Sequence, residues 1–234
     1  DGHQRGARDL AAIDQNVAMR QRALGKVVAD EDLFHRLEIE LRGQIEHGEI
    51  RPSKGLADAI AKMIEGNDEF VMIDEQKVVY EQIWNLVEHS SPSSKNVVIV
   101  RGGPGTGKSV VAIQLTARLT AKQKMVQYVS KNSAPRDVYA SKLSGIRTKS
   151  WVNNLFKGSG TYISAERNQY DALLVDEAHR LNEKSGMFSN LGENQIKEII
   201  NAARCSVFFL DEDQRVTMKD IGSDAEIAMW AAHA

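Results

Sequence analysis

The octapeptide Gly102-Gly103-Pro104-Gly105-Thr106-Gly107-Lys108-Ser109 constrains this chain more than any other feature. It fits the spacing G-x-x-x-x-G-K-[ST], and its flanks fit as well. The apolar run Val97-Val98-Ile99-Val100 leads into it, and a segment with the stripe Val111, Leu115, Leu119 leaves it. A strand that turns through glycines into a helix directs free backbone N–H groups at one point, at the positive end of the helix dipole. Phosphate suits such a nest. Glycines are needed because a backbone wrapped round an anion adopts φ values that side chains disfavour. The pattern assigns Gly103, Pro104, Gly105, Thr106 and Gly107 to a phosphate cradle. Lys108 is expected to reach the β- and γ-phosphates, and the Ser109 hydroxyl to ligate Mg2+.

From Val97 onward, short apolar runs alternate with amphipathic ones. Strands are expected at Val97–Val100, Met125–Val129, Ala172–Val175 and Val207–Leu210, with helices at Lys108–Thr120 and Glu193–Ala203. Such alternation predicts an α/β fold, a parallel sheet flanked by helices. Residues 1–70 read instead as an N-terminal helical segment. Leu33, Phe34, Leu37, Leu41 and Ile45 form a stripe between Asp32 and His47 that predicts a helix stopping at Gly48. A second helix is expected from Ser53, carrying Leu56, Ile60, Met63 and Ile64, and a third after Asp74, carrying Val78, Val79, Ile83, Leu86 and Val87. The ATP-binding lobe is expected over 71–222. Ser223-Asp224-Ala225-Glu226 has the form of a capping box and opens a helix over 223–234 with no stop signal. With Asp1 in place of methionine at the other end, a fragment of a longer protein is the expectation.

Two further strand ends carry polar groups. Leu173-Leu174-Val175 delivers Asp176 and Glu177, and ligands of open parallel sheets bind beyond the carboxyl ends of the strands. Asp176 is placed to hold Mg2+, and Glu177 to orient the attacking water or take its proton. A second acid beside the first favours hydrolysis over transfer to a substrate. Phe208-Phe209-Leu210 then leads to Asp211-Glu212-Asp213-Gln214-Arg215, where Gln214 could report an intact γ-phosphate and Arg215 could support it; a solvated loop is the plainer alternative. Upstream, Gln76 could pair with N6 and N7 of adenine, though a glutamine at a helix start is often an ordinary surface residue.

Charge is unevenly spread. Between Arg118 and Lys157 nine basic residues face the single acid Asp137, so the stretch carries +8, and the chain's net −2 leaves −10 elsewhere. Such a bias can mark a surface for phosphate backbone, while on charge alone a solvated helical face is the better reading. One cysteine, Cys205, in an apolar run reads as a buried thiol. Scattered histidines and a single cysteine predict no structural metal. No apolar run nears the roughly 18 residues of a membrane span, and no signal-peptide pattern opens the chain. The expectation is a cytoplasmic protein without a membrane partner.

Taken together, Gly102–Ser109, Asp176-Glu177-Ala178-His179 and Asp211-Glu212-Asp213-Gln214 resemble motifs I, II and III of superfamily 1 helicases, and Gln76 is similar to their adenine-binding Q motif. Longer stretches resemble the Schlafen-type DNA/RNA helicase domain. These are Arg51-Pro52-Ser53-Lys54 with Asp74-Glu75-Gln76-Lys77-Val78-Val79-Tyr80, Ser130-Lys131-Asn132-Ser133-Ala134-Pro135-Arg136, Phe156-Lys157-Gly158-Ser159-Gly160, and the segment from Asp176 to Glu193. The likeness runs from about residue 50 to 222 and leaves residues 1 to 50 unmatched.

That resemblance implies a RecA-like P-loop NTPase lobe that uses ATP and Mg2+ and grips single-stranded DNA or RNA. It also implies a second RecA-like lobe, C-terminal to these residues, bringing the arginine that stabilises the transition state. Without it the chain is expected to bind ATP, hydrolyse it slowly and unwind nothing. Ser130, Lys131 and Asn132 are similar in position to a phosphate-contacting helicase motif. Arg136, Lys149 and Trp151 join them as candidate nucleic-acid contacts. Trp151 and Phe156 could stack on bases, although core packing is the commoner use of such a pair. The rival expectations are an ATP-driven switch in a defence or signalling assembly, and a scaffold that holds nucleotide without turnover. Glu177 and Gln214 speak against the scaffold. No nuclease constellation is visible.

Overall fold

The computed structural model describes residues 27–29 and 34–41 and, with breaks at 73, 144–146, 187, 189, 215–216 and 218, residues 72–233. The elements run β1 (Val27–Ala29), β2 (Phe34–Leu41), α1 (Asp74–His89), β3 (Lys95–Gly102), α2 (Lys108–Ala121), β4 (Val126–Ser130), α3 (Ser133–Leu143), α4 (Lys149–Leu155), β5 (Phe156–Lys157), β6 (Tyr170–Asp176), α5 (Gln195–Ala202), β7 (Ala203–Leu210) and α6 (Asp224–Ala232). The strands form one sheet in the order β1-β2-β3-β7-β6-β4-β5. Every pairing is parallel except β1 with β2. The fold is therefore α/β, a parallel sheet flanked by helices, as the alternation predicts.

Unbroken apolar runs form the central strands because both faces of the sheet are covered. Val98, Val100, Leu174, Val207 and Phe209 pack on one side with Ile83 of α1 and Val111, Leu115 and Leu119 of α2. Their neighbours in sequence, Val97, Ile99, Leu173, Val175, Phe208 and Leu210, pack on the other side with Ile196, Ile199 and Ile200 of α5. Each such burial contributes about 1.5–3 kcal/mol relative to exposure. Helix starts are capped as their sequences suggest. Thr148 accepts from Trp151 N, Asn194 from Ile196 N and Lys197 N, and Ser223 from Glu226 N.

One expectation changes. Residues 34–41 are a strand, not part of a helix from Asp32 to His47. The segment runs parallel to β3, with Leu37 opposite Val98 and Leu41 opposite Gly102. Its sequence carries two periods at once: Leu37, Ile39 and Leu41 alternate with Arg36, Glu38 and Glu40, and a strand beside a fully paired β3 satisfies the period of two. Ile227 and Ala231 of α6 are buried in the same core as α5. The helix expected from Ser53, and Arg215, lie outside the described residues.

Register fixes the site. Ser130 lies opposite Asp176, and Arg101 opposite Leu210. Because β7 separates β3 from β6, Asp211 leaves the sheet between the glycine loop and Asp176.

Candidate functional site

The glycine loop emerges from β3 and enters α2 with Gly105 at φ 76° and Gly107 at φ 85°. No side chain caps α2, so its first N–H groups face the loop's concavity. A Cβ placed on Gly103 or Gly105 meets nothing within 4 Å. That side is open, and backbone conformation, not crowding, is what Gly105 provides. The Lys108 ammonium folds back onto the loop. It donates to the carbonyls of Gly102 and Gly103, the second at 2.8 Å, and stands 3.6 Å from Asp211 Oδ2. Gln76 borders the same loop: its amide donates to Thr106 O at 3.0 Å and lies so close to Gly107 that a Cβ there would strike it.

Asp176 is 3% exposed at the end of β6. Burial pushes its carboxyl up, opposed by the nearby hydroxyls of Tyr128 and Ser109. Tyr128 Oη donates to Oδ2 at 2.5 Å, and Glu177 N donates to Oδ1 at 3.0 Å. The Ser109 hydroxyl and the Asp176 carboxylate, the two expected Mg2+ ligands, are therefore neighbours. Glu177 holds a left-handed conformation, φ 55° and ψ 42°. Its Oε2 lies 3.2 Å from Nε2 of His179, a ring 1% exposed. The ring is close enough for an electrostatic contact but off the hydrogen-bond direction. His179 is the largest cause holding the Glu177 carboxyl below its usual range; burial opposes it, and Lys108 and Arg180 add to it.

Gln214 sits half-buried on the turn after β7, its N–H donating to Asp211 O at 3.1 Å. Asp211 Oδ2 and Ser130 Oγ are buried without hydrogen-bond partners among the described residues. An opening lined by backbone N–H groups, an ammonium, and buried carboxyl and hydroxyl oxygens at neighbouring strand ends fit a nucleotide phosphate with Mg2+, which takes one or two carboxylates plus phosphate oxygens. Among the described residues no group of three His, Cys, Asp or Glu could hold a metal by itself.

Residues 95–234, more than half of the 234-residue chain, match the family model of the Schlafen group 3 DNA/RNA helicase domain. The chain belongs to that family. A solved structure described as a DNA replication initiation factor is similar at 18% identity with a TM-score of 0.40, over 70% of this chain and 46% of that one. This chain thus spans under half of that structure, and nothing is carried over from it. No curated protein matches.

In this Schlafen helicase domain the residues of the basic segment differ in availability. Lys131 donates to Asn182 Oδ1 at 2.9 Å and to Asp220 Oδ1 at 3.1 Å, so its charge is engaged within the fold. Arg136 donates to Asn132 O at 3.1 Å, and its guanidinium lies against Gly158. Lys149 is exposed. Trp151 is half-buried against the core, with the Arg147 guanidinium 5.5 Å from its ring centre. Phe156 is buried, in ring contact with Tyr128 and Tyr139. Asp211 and His179 stand within the motif-like stretches quoted from the sequence but are given no role there, and Tyr128 is not singled out. For Asp211 a signal existed, an acid ending a greasy strand as Asp176 does. Among the described residues no helix is long and apolar enough to cross a membrane.

Proposed function

We propose that this chain is the nucleotide-binding lobe of an ATP-driven nucleic-acid motor that uses Mg2+ and acts on single-stranded DNA or RNA. One observation carries the reading. Lys108 and Ser109, from the glycine loop, and Asp176, from a strand two positions away in the sheet, converge on one opening at its carboxyl edge. Membership of a helicase domain family supports the nucleic-acid half.

On this reading Lys108 leaves Asp211 and the two loop carbonyls for the β- and γ-phosphates. Ser109 and Asp176 hold the cation, which when bound draws charge from the phosphates. Glu177, kept ionised by its neighbours, orients the attacking water and accepts its proton. Gln214 reports the γ-phosphate to the turn after β7, and Gln76, already against Thr106 and Gly107, reads the adenine. An arginine from a second RecA-like lobe completes the charge stabilisation; such a residue is worth about 10³–10⁵ in rate. The isolated lobe accordingly binds ATP and turns it over slowly. Lys149, Arg136 and Trp151, with Ser130, Lys131 and Asn132 beneath them, border the nucleic-acid track.

Calorimetry on the full-length protein tests the first half: ATP with Mg2+ binds, and Lys108→Ala abolishes uptake. Glu177→Gln keeps binding and lowers turnover about 10²–10⁴-fold. Single-stranded oligonucleotides stimulate the ATPase. Uptake indifferent to Lys108→Ala sinks the nucleotide site, and an ATPase deaf to oligonucleotides sinks the motor while leaving an ATP-driven switch.

A further inference from the structure

Asp176 is gripped by two donors from two parts of the fold. Its own neighbour supplies the Glu177 N–H, and β4 supplies the Tyr128 phenol. The first follows from the turn at the strand end, but the second needs an explanation. Tyr128 is fully buried, opposite Leu174 in the sheet and two residues before Ser130, which lies opposite Asp176. From there its ring leans along the sheet to place Oη 2.5 Å from Oδ2.

The ring has no freedom to turn away. Tyr139 of α3 meets it edge-on at 5.9 Å and 83°, Phe156 of β5 at 5.6 Å and 60°, and Tyr139 and Phe156 stack on each other at 5.6 Å and 26°. Three rings therefore aim one hydroxyl at one carboxylate oxygen. Carboxylates that hold metals are commonly oriented by such outer hydrogen bonds, and losing one costs about 10–100-fold in affinity or activity.

We propose that Tyr128 is a positioning residue for the cation site: its hydroxyl, clamped by Tyr139 and Phe156, fixes the plane of the Asp176 carboxylate beside Ser109. The inference rests on the reading that Ser109 and Asp176 hold Mg2+. It assigns to the buried aromatic cluster a function beyond filling space.

Fluorescent ADP binding by the full-length protein, titrated with Mg2+, separates positioning from packing. Tyr128→Phe keeps the ring and removes the hydroxyl. It is expected to raise the Mg2+ concentration for half-maximal effect at least about tenfold, while ADP affinity in EDTA stays within about twofold. In an Asp176→Asn background the same substitution is expected to shift nothing, because the effect runs through that carboxylate. Tyr139→Phe, whose hydroxyl makes no hydrogen bond to Asp176 in the structure, is expected to stay within about twofold. A Tyr128→Phe midpoint equal to wild type overturns the proposal. So does a shift that persists with Asp176→Asn, or a Tyr128→Phe protein that no longer melts cooperatively, since the hydroxyl then belongs to folding. Wild-type ADP binding that ignores Mg2+ altogether overturns the underlying cation-site reading and this proposal with it.

Discussion

Glu177 occupies backbone space that non-glycine residues enter at a cost of about 1–3 kcal/mol, at φ 55° immediately after β6. Among the described residues the two other non-glycine positions with positive φ, Gln123 and Asn168, lie in connecting turns. At Glu177 the conformation turns the chain sharply at the strand end, so that Asp176 faces Ser109 while the next carboxylate meets His179. Gly107 shows the same economy of space in the loop. Gly107→Ala places a Cβ at φ 85° and into the Gln76 amide; it is expected to cost about 1–2 kcal/mol in urea unfolding for the left-handed backbone alone. Cys205 illustrates the opposite case, a reactive group made inert. Burial pushes its thiol up to about 12, and the folded protein is expected to resist iodoacetamide at pH 8 until denaturant is added. Rapid labelling of the native protein would contradict the core position of β7.

At the scale of elements, the strands and the helices behave differently as text. β3, β4, β6 and β7 were legible because a strand buried on both faces is written as a largely apolar run. The loop and Asp176 were legible because their chemistry demands fixed spacings. β2 was misread because Leu33, Phe34, Leu37, Leu41 and Ile45 make a helical stripe as good as the alternation around Leu37–Leu41; only the partner strand β3 decides between the periods. α3 and α4 went unseen because their sequences, Ser133–Leu143 and Lys149–Leu155, are short, interrupt their apolar residues with charged and polar ones, and depend on a few contacts such as Tyr139, Leu143, Val152 and Leu155. The hydroxyl on Asp176 comes from 48 residues away, a distance that only the strand order closes. Lys131 belongs to this scale too. Read as a phosphate contact, it ties the end of β4 to the segment before α6 through Asp220, a side chain 1% exposed. Lys131→Met is expected to cost about 1–3 kcal/mol by leaving that buried carboxylate short of a partner. Lys131→Met with Asp220→Asn should cost less than the two single changes added together. Additive costs would return Lys131 to the role of an ordinary surface charge.

The whole molecule is joined across its far edge by Lys95 at the start of β3, which donates to Ile200 O at 2.8 Å and Asn201 O at 3.1 Å and so closes the end of α5. Burial, then the charge of Arg167, brings its ammonium down from 10.5 to about 8. The folded chain sheds this proton at a pH where the unfolded chain still holds it. The cost of burying the charge is therefore fully present below about 8 and is relieved as pH rises toward 10.5. Melting curves of wild type and Lys95→Met compared from pH 7 to 10 should diverge in favour of wild type above 8. A constant difference would place the lysine in solvent. The strand order has a consequence for biosynthesis. Of the strands described in this sheet, the last in sequence, residues 203–210, is the one wedged between β3 and β6. While a ribosome is still working upstream of it, the glycine loop and Asp176 have no common sheet to hold them together. Until residues 203–210 emerge, the two halves of the sheet stay unjoined, and the opening between the glycine loop and Asp176 forms only when this strand inserts.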